Sequence, residues 1–406
     1  MIPKIVFLNP WDRLIGPNRY LFEILRHLPQ LARSATVVLD QASDAAEEYE
    51  DLGCSLAVWP EIGIIHPVLT PRNMARVAAN HTLGLVRIVK RLRSIRPDLI
   101  ISNTENLWVG GMGARVLGIR HIQIFHAMTF SERLSRRPLL MKTYLRFLSS
   151  WSDSFVAVST ALAIALQDGG VPPAKIARIP NPVAAIPLAE GACSAFSYSG
   201  TTLPQDRFPL IVSAGRISPM KGQDLLVRAL PAIREAFPNV LCVFAGRIGS
   251  GSGLEDTDKF SVDLTREVKR LGLESNVIFA GEVENLPDLL RRAAIYVQPS
   301  RTESFGRVVA ESLLCGIPVA GFEVGGISES GGPGVLLVPP QDVPALSKAI
   351  IRVLEAPGLA RELAREGRAH VERHFEPGAV AERFFSLVAK VSPLVALQER
   401  PAWTQS

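Results

Sequence analysis

Short apolar runs alternate with longer stretches whose apolar residues recur every three or four positions. In the first part of the chain the runs Lys4–Leu8, Thr36–Leu39, Leu56–Trp59, Leu99–Ser102, His121–Phe125 and Ser154–Val158 predict strands. Helical spacing predicts helices over Asn18–His27, Met74–Ile95, Val109–Leu117, Leu139–Ser149 and Ala161–Gln167. Near-continuous apolar strands separated by helices imply a parallel sheet covered on both faces. Residues 181–208 break the rhythm with Pro182, Pro187 and Pro204 among Ser, Thr and Gly, as a linker does. The rhythm then restarts. Strands are expected at Leu210–Ala214, Val240–Ala245, Val277–Ala280, Ile295–Gln298, Pro318–Gly321 and Val335–Val338. Helices are expected near Gly222–Glu235, Val262–Leu271, Leu286–Ala293, Gly306–Leu314, Val343–Glu355 and Ala360–His374. A last amphipathic helix covers Ala379–Lys390, and the tail beyond Pro393 is expected to fray. The fold class is therefore α/β, with two doubly wound Rossmann-like domains at 1–180 and 209–376 joined by the linker 181–208. Two such units are expected to present the carboxyl ends of their strands to one cleft.

The bulk numbers agree with two domains. The chain has 406 residues, 47% of them apolar and 20% charged, enough for large cores. No apolar run reaches the ~18–20 residues of a membrane span. Met1-Ile-Pro-Lys-Ile-Val-Phe-Leu8 reads as a first strand rather than a signal peptide. Cys54, Cys193, Cys242 and Cys315 are scattered with no CxxC pair, and Cys242 and Cys315 sit in apolar surroundings. A reducing, cytoplasmic location follows as the expectation. The net charge of +5 is lopsided: 21 Lys+Arg face 14 Asp+Glu up to residue 180, and 23 face 25 thereafter. Arg72, Arg76, Arg87, Lys90, Arg91, Arg93 and Arg96 fall in an acid-free stretch, with Leu85, Ile88, Leu92 and Ile95 at helical spacing. Arg133, Arg136, Arg137, Lys142 and Arg146 form a second basic group. Anionic membrane lipid or an anionic acceptor would explain both, and so would a solvated face. No nucleic acid is expected, because no basic groove is interleaved with aromatics.

Candidate chemistry concentrates in the second half. The segment Pro299-Ser-Arg-Thr-Glu303-Ser-Phe-Gly306-Arg-Val-Val-Ala-Glu311 follows a predicted strand and enters a predicted helix. It delivers Glu303 to the mouth of the turn and Glu311 about a turn and a half into the helix. The N–H groups of Ser304, Phe305 and Gly306 are expected as free first-turn donors. An acidic helix cap would also fit this pattern. Gly215-Arg-Ile-Ser-Pro-Met-Lys-Gly222 follows another strand, and Arg216 and Lys221 could converge on a phosphate oxygen across that turn. A basic surface turn is the plainer alternative. A cationic turn suits a diphosphate, whereas carboxylates suit sugar and ribose hydroxyls.

These segments, with Val324-Gly-Gly-Ile-Ser-Glu329, resemble the retaining glycosyltransferases of the GT-B fold, family 4. The likeness is looser in the first half, at Arg96-Pro-Asp-Leu-Ile-Ile-Ser102, Phe125-His126, and Ala157-Val-Ser159 through Ile179-Pro-Asn-Pro-Val183. It implies an acceptor domain first, a nucleotide-sugar domain second, and a helix at about 377–392 crossing back to the first. It implies a UDP- or GDP-sugar donor and a glycan, lipid-linked or small-molecule acceptor, with polysaccharide or glycolipid synthesis as the setting. By position, Arg216 and Lys221 would neutralise the leaving diphosphate, and Glu303 would hold sugar hydroxyls with the backbone at Ser304, Phe305 and Gly306. Glu311 would take the ribose hydroxyls and Val283 would face the base. Gly16, Gly215 and Val308 fall among the expected donor contacts, with Arg19 near Gly16, and His126 would stand near the reacting sugar. The resemblance further implies same-face attack, with the leaving phosphate taking the acceptor proton.

This chain departs from the family pattern in several places. Gly16-Pro17 stands where two glycines are frequent, and proline has no N–H to donate. Asn181-Pro-Val replaces Asn-Gly-Val, and Ser328 replaces a frequent proline. The Gly246–Gly253 stretch lacks the Lys-Ser/Thr of a phosphate-binding loop and reads as a flexible excursion. Asp256-Thr-Asp258 imitates a metal-binding carboxylate pair but falls in the same stretch and reads as solvated, so no metal is expected. A same-fold epimerase or phosphorylase and a non-catalytic sugar-nucleotide-binding protein remain as alternatives. A nicotinamide oxidoreductase is disfavoured, because no G-x-G-x-x-G follows Lys4–Leu8 or Leu210–Ala214.

Overall fold

A computed structural model describes residues 3–10, 16–42, 45–63, 74–127, 138–186, 197–198, 201–202, 208–247 and 255–396. The chain divides into two compact units: Met1–Pro182 with Pro377–Ser406, and Val183–Glu376.

The first unit is built on a parallel seven-stranded sheet in the order β3-β2-β1-β4-β5-β6-β7. Its strands are β1 (Ile5–Leu8), β2 (Ala35–Leu39), β3 (Ser55–Val58), β4 (Leu99–Ser102), β5 (Arg120–Phe125), β6 (Ser154–Ala157) and β7 (Ile176–Arg178). The four residues of β1, β4 and β6 are all buried, as strands covered on both faces must be. Sequence reasoning missed β7, a three-residue edge strand whose residues stay partly exposed and show no apolar run. Helices Pro17–Arg26, Met74–Ile95, Trp108–Leu117, Pro138–Trp151 and Thr160–Asp168 connect the strands. The helix Pro377–Val391 packs on Pro17–Arg26 and β5. Its buried residues Val380, Ala381, Phe384 and Val388 line one face at helical spacing.

The second unit holds a parallel six-stranded sheet in the order β12-β11-β10-β13-β14-β15. Its strands are β10 (Leu210–Ala214), β11 (Leu241–Ala245), β12 (Val277–Gly281), β13 (Ile295–Gln298), β14 (Val319–Phe322) and β15 (Val335–Val338). Ser197–Tyr198 (β8) and Thr201–Thr202 (β9) pair antiparallel within the stretch read as a linker. Ile211, Leu226, Leu230, Phe244, Ile295, Val297, Phe322 and Ile350 belong to its core. In both sheets the strand order reverses beside the first strand, between β1 and β4 and between β10 and β13. A crevice at the carboxyl ends of the strands opens at such a reversal.

The helix Leu286–Leu290 ends before the expected Ala293, the helix Pro357–His374 begins before the expected Ala360, and a third helix departs further. It runs over Glu255–Arg270, so Asp256 and Asp258 lie in a helix rather than an excursion. Its first turn is almost wholly polar, which hid it from an apolar-periodicity reading. Residues 248–254, Arg133, Arg136 and Arg137, and residues 397–406 lie outside the described residues. Cys54, Cys242 and Cys315 are buried free thiols. No helix among the described residues is long and apolar enough to cross a membrane.

Two glycines with left-handed backbones test how far crowding governs this unit. A Cβ on Gly222 (φ 68°) would overlap the Pro299 carbonyl, whereas one on Gly272 (φ 62°) would meet nothing within 4 Å. Gly272→Ala should cost about 1 kcal/mol in urea unfolding, from backbone strain alone. Gly222→Ala should cost roughly 3 kcal/mol, because steric overlap adds to that strain. Equal losses would show that Gly222 is not crowded.

Candidate functional site

The strand reversal in the second unit brings the loops after β10 and β13 side by side. The first leaves β10 through Gly215 (φ 141°), whose N–H donates to Ala245 O at 2.8 Å. Ile217 N–H donates to Arg247 O at 3.1 Å, so the turn is hydrogen-bonded to the exit of β11. A 3-10 turn, Pro219–Lys221, and left-handed Gly222 then lead into the helix Gln223–Ala236. Gln223 spans this turn. Its amide donates to Arg216 O at 3.1 Å, and its Oε1 accepts from Ser218 N–H at 3.3 Å. The structure thereby holds the Arg216 backbone, while the exposed guanidinium makes no ion pair among the described residues.

The second loop carries Glu303. Lys221 Nζ lies 2.7 Å from Glu303 Oε2, with the two side chains 30% and 11% exposed. Gln298 Nε2 donates to the same oxygen at 3.2 Å and to Ser300 Oγ at 2.7 Å. Glu303 Oε1 accepts from Ser304 N–H at 3.2 Å. Behind them Tyr296 is fully buried. Its hydroxyl reaches Gln298 Oε1 and the Ala214 carbonyl, and burial raises its phenol well above the ordinary value. The Val324–Glu329 segment supports the loop from below. Gly326 N–H donates to Glu303 O at 3.0 Å, and a Cβ on Gly325 would overlap that carbonyl.

The helix after this loop begins at Arg307, with left-handed Gly306 (φ 87°) as its N-cap. The expected first-turn donors Ser304 and Phe305 therefore precede the helix, because Gly306 turns the chain before helical geometry starts. The Ser304 N–H is turned onto Glu303. The N–H groups of Phe305, Gly306 and Val308 donate no backbone hydrogen bond among the described residues. The Phe305 ring is buried against Phe375 at 5.0 Å. Glu311 Oε1 accepts from Arg307 Nε at 2.9 Å. Val283 is half-buried just beyond Gly281, whose carbonyl accepts from Gly246 N–H at 2.6 Å.

The first unit carries its own polar cluster at the reversal between β1 and β4. His126 follows β5, and its Nε2 lies 2.8 Å from Asn103 Oδ1. Asn103 Nδ2 donates to Asn9 Oδ1 at 3.0 Å and to Pro17 O at 2.9 Å. Asn9 Nδ2 in turn donates to Asn18 Oδ1 at 2.7 Å. With the Asn103 amide nitrogen used in this way, the proton sits on His126 Nε2 and Nδ1 is left as an acceptor. His126 N–H donates to Glu105 Oε2 at 3.2 Å, and burial pushes the imidazole pKa down to about 3. Gly16 (φ 51°) caps the helix Pro17–Arg26 and accepts from Tyr20 N–H at 3.2 Å. Arg19 is exposed.

Sequence reasoning missed Asn9, Asn18, Asn103, Tyr296, Gln298 and Ser300. A polar residue directly after an apolar strand, as in Leu8-Asn9 and Ser102-Asn103, was the available signal. Among the described residues no three His, Cys, Asp or Glu side chains converge as a metal set would.

Residues 15–185 match the family described as Glycosyltransferase Family 4, and residues 199–370 match Glycosyl transferases group 1. Each of the two units thus matches a glycosyltransferase family model, and together the matches span most of the chain. Among curated relatives it is 30% identical over 191 residues to a GDP-mannose-dependent monoacylated alpha-(1-6)-phosphatidylinositol monomannoside mannosyltransferase of Corynebacterium glutamicum. That match covers 45% of this chain and 48% of the relative. It is 36% identical over 169 residues to the D-inositol 3-phosphate glycosyltransferase of Acidothermus cellulolyticus, covering 40% of this chain and 37% of that one. The chain thus spans half or less of the length of these relatives. The fold is similar to that of Anabaena HepE in complex with UDP and glucose, with TM-score 0.75 and 20% identity over 95% of this chain and 99% of the other. Sucrose-phosphate synthase of Thermosynechococcus elongatus has the same architecture, with TM-score 0.71 and 20% identity over 96% and 98% of the two chains.

A second histidine, His121, is fully buried between Ser102 Oγ (3.0 Å) and Ser152 Oγ (2.9 Å). Burial lowers its pKa from 6.5 to about 3, against the opposing charge of Asp153. As pH falls below 6.5 the unfolded chain takes up a proton that the folded chain refuses until about 3. Stability should therefore fall with pH across that window, by up to about 1.4 kcal/mol per pH unit for this group. His121→Gln should reduce that slope in urea titrations between about pH 6.5 and 5. An unchanged slope would mean that His121 is already charged in the fold.

Proposed function

We propose that the protein is a retaining glycosyltransferase that moves a sugar from a UDP- or GDP-sugar to a glycan, lipid-linked or small-molecule acceptor. The observation that carries this reading is the Lys221–Glu303 pair at the strand reversal of the second unit. A lysine ammonium there can meet a diphosphate oxygen, and a carboxylate beside it can meet sugar hydroxyls. Arg216 has its backbone held and its guanidinium free to turn toward the same phosphate. Phe305, Gly306 and Val308 offer N–H groups, Gly215 keeps the turn open to close approach, Glu311 is assigned to the ribose, and Val283 to the base. The first unit is assigned to the acceptor, with Gly16 and His126 nearest the transferred sugar. His126 would act there as a neutral acceptor through Nδ1. Glycolipid or polysaccharide synthesis is the setting supported by the relatives' names.

The reaction breaks the bond between the anomeric carbon and the donor phosphate through an oxocarbenium-like state. Negative charge builds on the departing diphosphate, where Lys221, Arg216 and backbone N–H groups stabilise it. The acceptor hydroxyl attacks from the same face and passes its proton to the leaving phosphate, so configuration is retained.

Arg216→Ala and Lys221→Ala should each lower turnover on radiolabelled UDP- or GDP-sugar with membrane extract by roughly 100-fold, far more than either lowers the folded fraction at the assay temperature. Wild-type activity in both variants would defeat the assignment. Turnover of the donor without any acceptor would favour an epimerase. Binding without turnover would favour a sugar-nucleotide-binding protein.

A cytoplasmic protein in peripheral contact with anionic membrane is part of the same proposal. The helix Pro138–Trp151 contains no acidic residue and exposes Leu139 (78%) and Phe147 (50%) beside Lys142 and Arg146. Apolar side chains among basic ones suit an anionic lipid surface. The protein should sediment with vesicles containing phosphatidylglycerol and not with pure phosphatidylcholine vesicles. Lys142→Glu with Arg146→Glu should weaken that binding at least about tenfold. Equal binding to both vesicle types, or to neither, would refute the contact.

A further inference from the structure

We infer that Arg301 is a positioning residue that fixes Lys221 for the diphosphate, with Asp224 as its partner. This rests on the donor-binding reading of the second unit. Arg301 stands two residues before Glu303, on the loop after β13. Its own N–H donates to Met220 O at 2.8 Å. Its Nη1 donates to Pro219 O at 2.8 Å and to Asp224 Oδ1 at 2.7 Å, and its Nη2 donates to Asp224 Oδ2 at 2.7 Å. Asp224 is buried in the first turn of the helix Gln223–Ala236 and also lies 3.7 Å from Arg228. One arginine thus grips the lysine-bearing turn on both sides of Lys221, at 219–220 and at 224. The close approach of Gly222 to the Pro299 carbonyl completes the contact.

The physical consequence concerns the stem of Lys221. A lysine side chain is long and freely rotating, and its ammonium is directed only as well as its backbone and its partner are fixed. Glu303 supplies the partner at 2.7 Å. Arg301 supplies the fixed backbone, because its planar fork engages both Asp224 oxygens and leaves that pair a single geometry. The cationic turn and the acidic loop therefore move as one body, and the ammonium is presented without reorganisation when a diphosphate arrives.

The test separates a positioning role from a purely structural one by using ligands with and without phosphate. Wild type, Arg301→Lys, Arg301→Ala and Asp224→Asn are titrated calorimetrically with UDP, GDP, uridine and guanosine. Arg301→Lys keeps the charge and loses the fork, so it carries the test if Arg301→Ala fails to fold. In Arg301→Lys and Asp224→Asn the affinity for the preferred nucleoside diphosphate should fall roughly tenfold, with affinity for the matching nucleoside unchanged. The Arg301→Lys/Asp224→Asn double variant should lose no more than the worse single one, because the two act as a unit. Wild-type diphosphate affinity in Arg301→Lys would overturn this inference and leave the donor reading intact. Equal losses for nucleoside and diphosphate would also overturn it, as a general structural defect. A wild-type protein that binds neither UDP nor GDP would overturn both.

Discussion

Lys221 and Glu303 are 82 residues apart in the chain and 2.7 Å apart in space. Their meeting depends on a single topological fact, the adjacency of β10 and β13 where the strand order reverses. Two parallel strands that run side by side without an intervening strand release their following loops at the same edge of the sheet. A cation carried on one loop and a carboxylate on the other then neutralise each other. Neither side chain is well exposed, and a charge held away from water is tolerated only beside its opposite. The pair therefore fixes both loops, and Gln298, Ser300 and buried Tyr296 extend that order back to the end of β10.

The two units meet the same demand in different ways. In the first, three asparagines and a histidine that burial keeps uncharged meet at the reversal. Asn103 donates to Asn9 and Asn9 to Asn18, while the backbone N–H of His126 donates to the Glu105 carboxylate. In the second, the groups are charged and are held by pairing and by close backbone packing. Gly215, Gly222, Gly246, Gly325 and Gly326 lie where loops cross, and at Gly222, Gly246, Gly325 and Gly326 a side chain would overlap a neighbouring backbone. That closeness brings N–H groups and charged side chains together with no bulk between them. It also makes this region sterically intolerant, in contrast to Gly16 and Gly272, where the space is open.

The architecture was legible in the sequence wherever burial leaves an apolar signature. Parallel strands here are short apolar runs, and twelve of them, the partly exposed edge β3 included, stood out within a residue or so of their bounds. The elements that escaped are the ones with no such signature. β7 is an exposed edge, and the start of the helix Glu255–Arg270 is polar. The candidate site divides the same way. Arg216 and Lys221 drew notice in the sequence as cations beside glycine after a strand, Glu303 as a carboxylate at the mouth of a turn, and Glu311 by its spacing from Glu303. Arg301 and Asp224 were not, since a surface arginine and a helix-start aspartate are ordinary until a fold brings them together.

The sequence by itself thus determined the periodicities, and through them two doubly wound α/β units and the loops that carry charge. It also determined which side chains are chemically able to hold a diphosphate or a hydroxyl. The tertiary structure alone decided which of them are neighbours. It set Lys221 against Glu303, turned the Ser304 N–H onto that carboxylate, started the helix at Arg307, and tied Asn9, Asn18, Asn103 and His126 into one chain of hydrogen bonds. The physical reason is that hydrophobic patterning is a local property of the chain. The pairing of polar groups depends on strand order and loop crossing, which link residues with no relation in sequence.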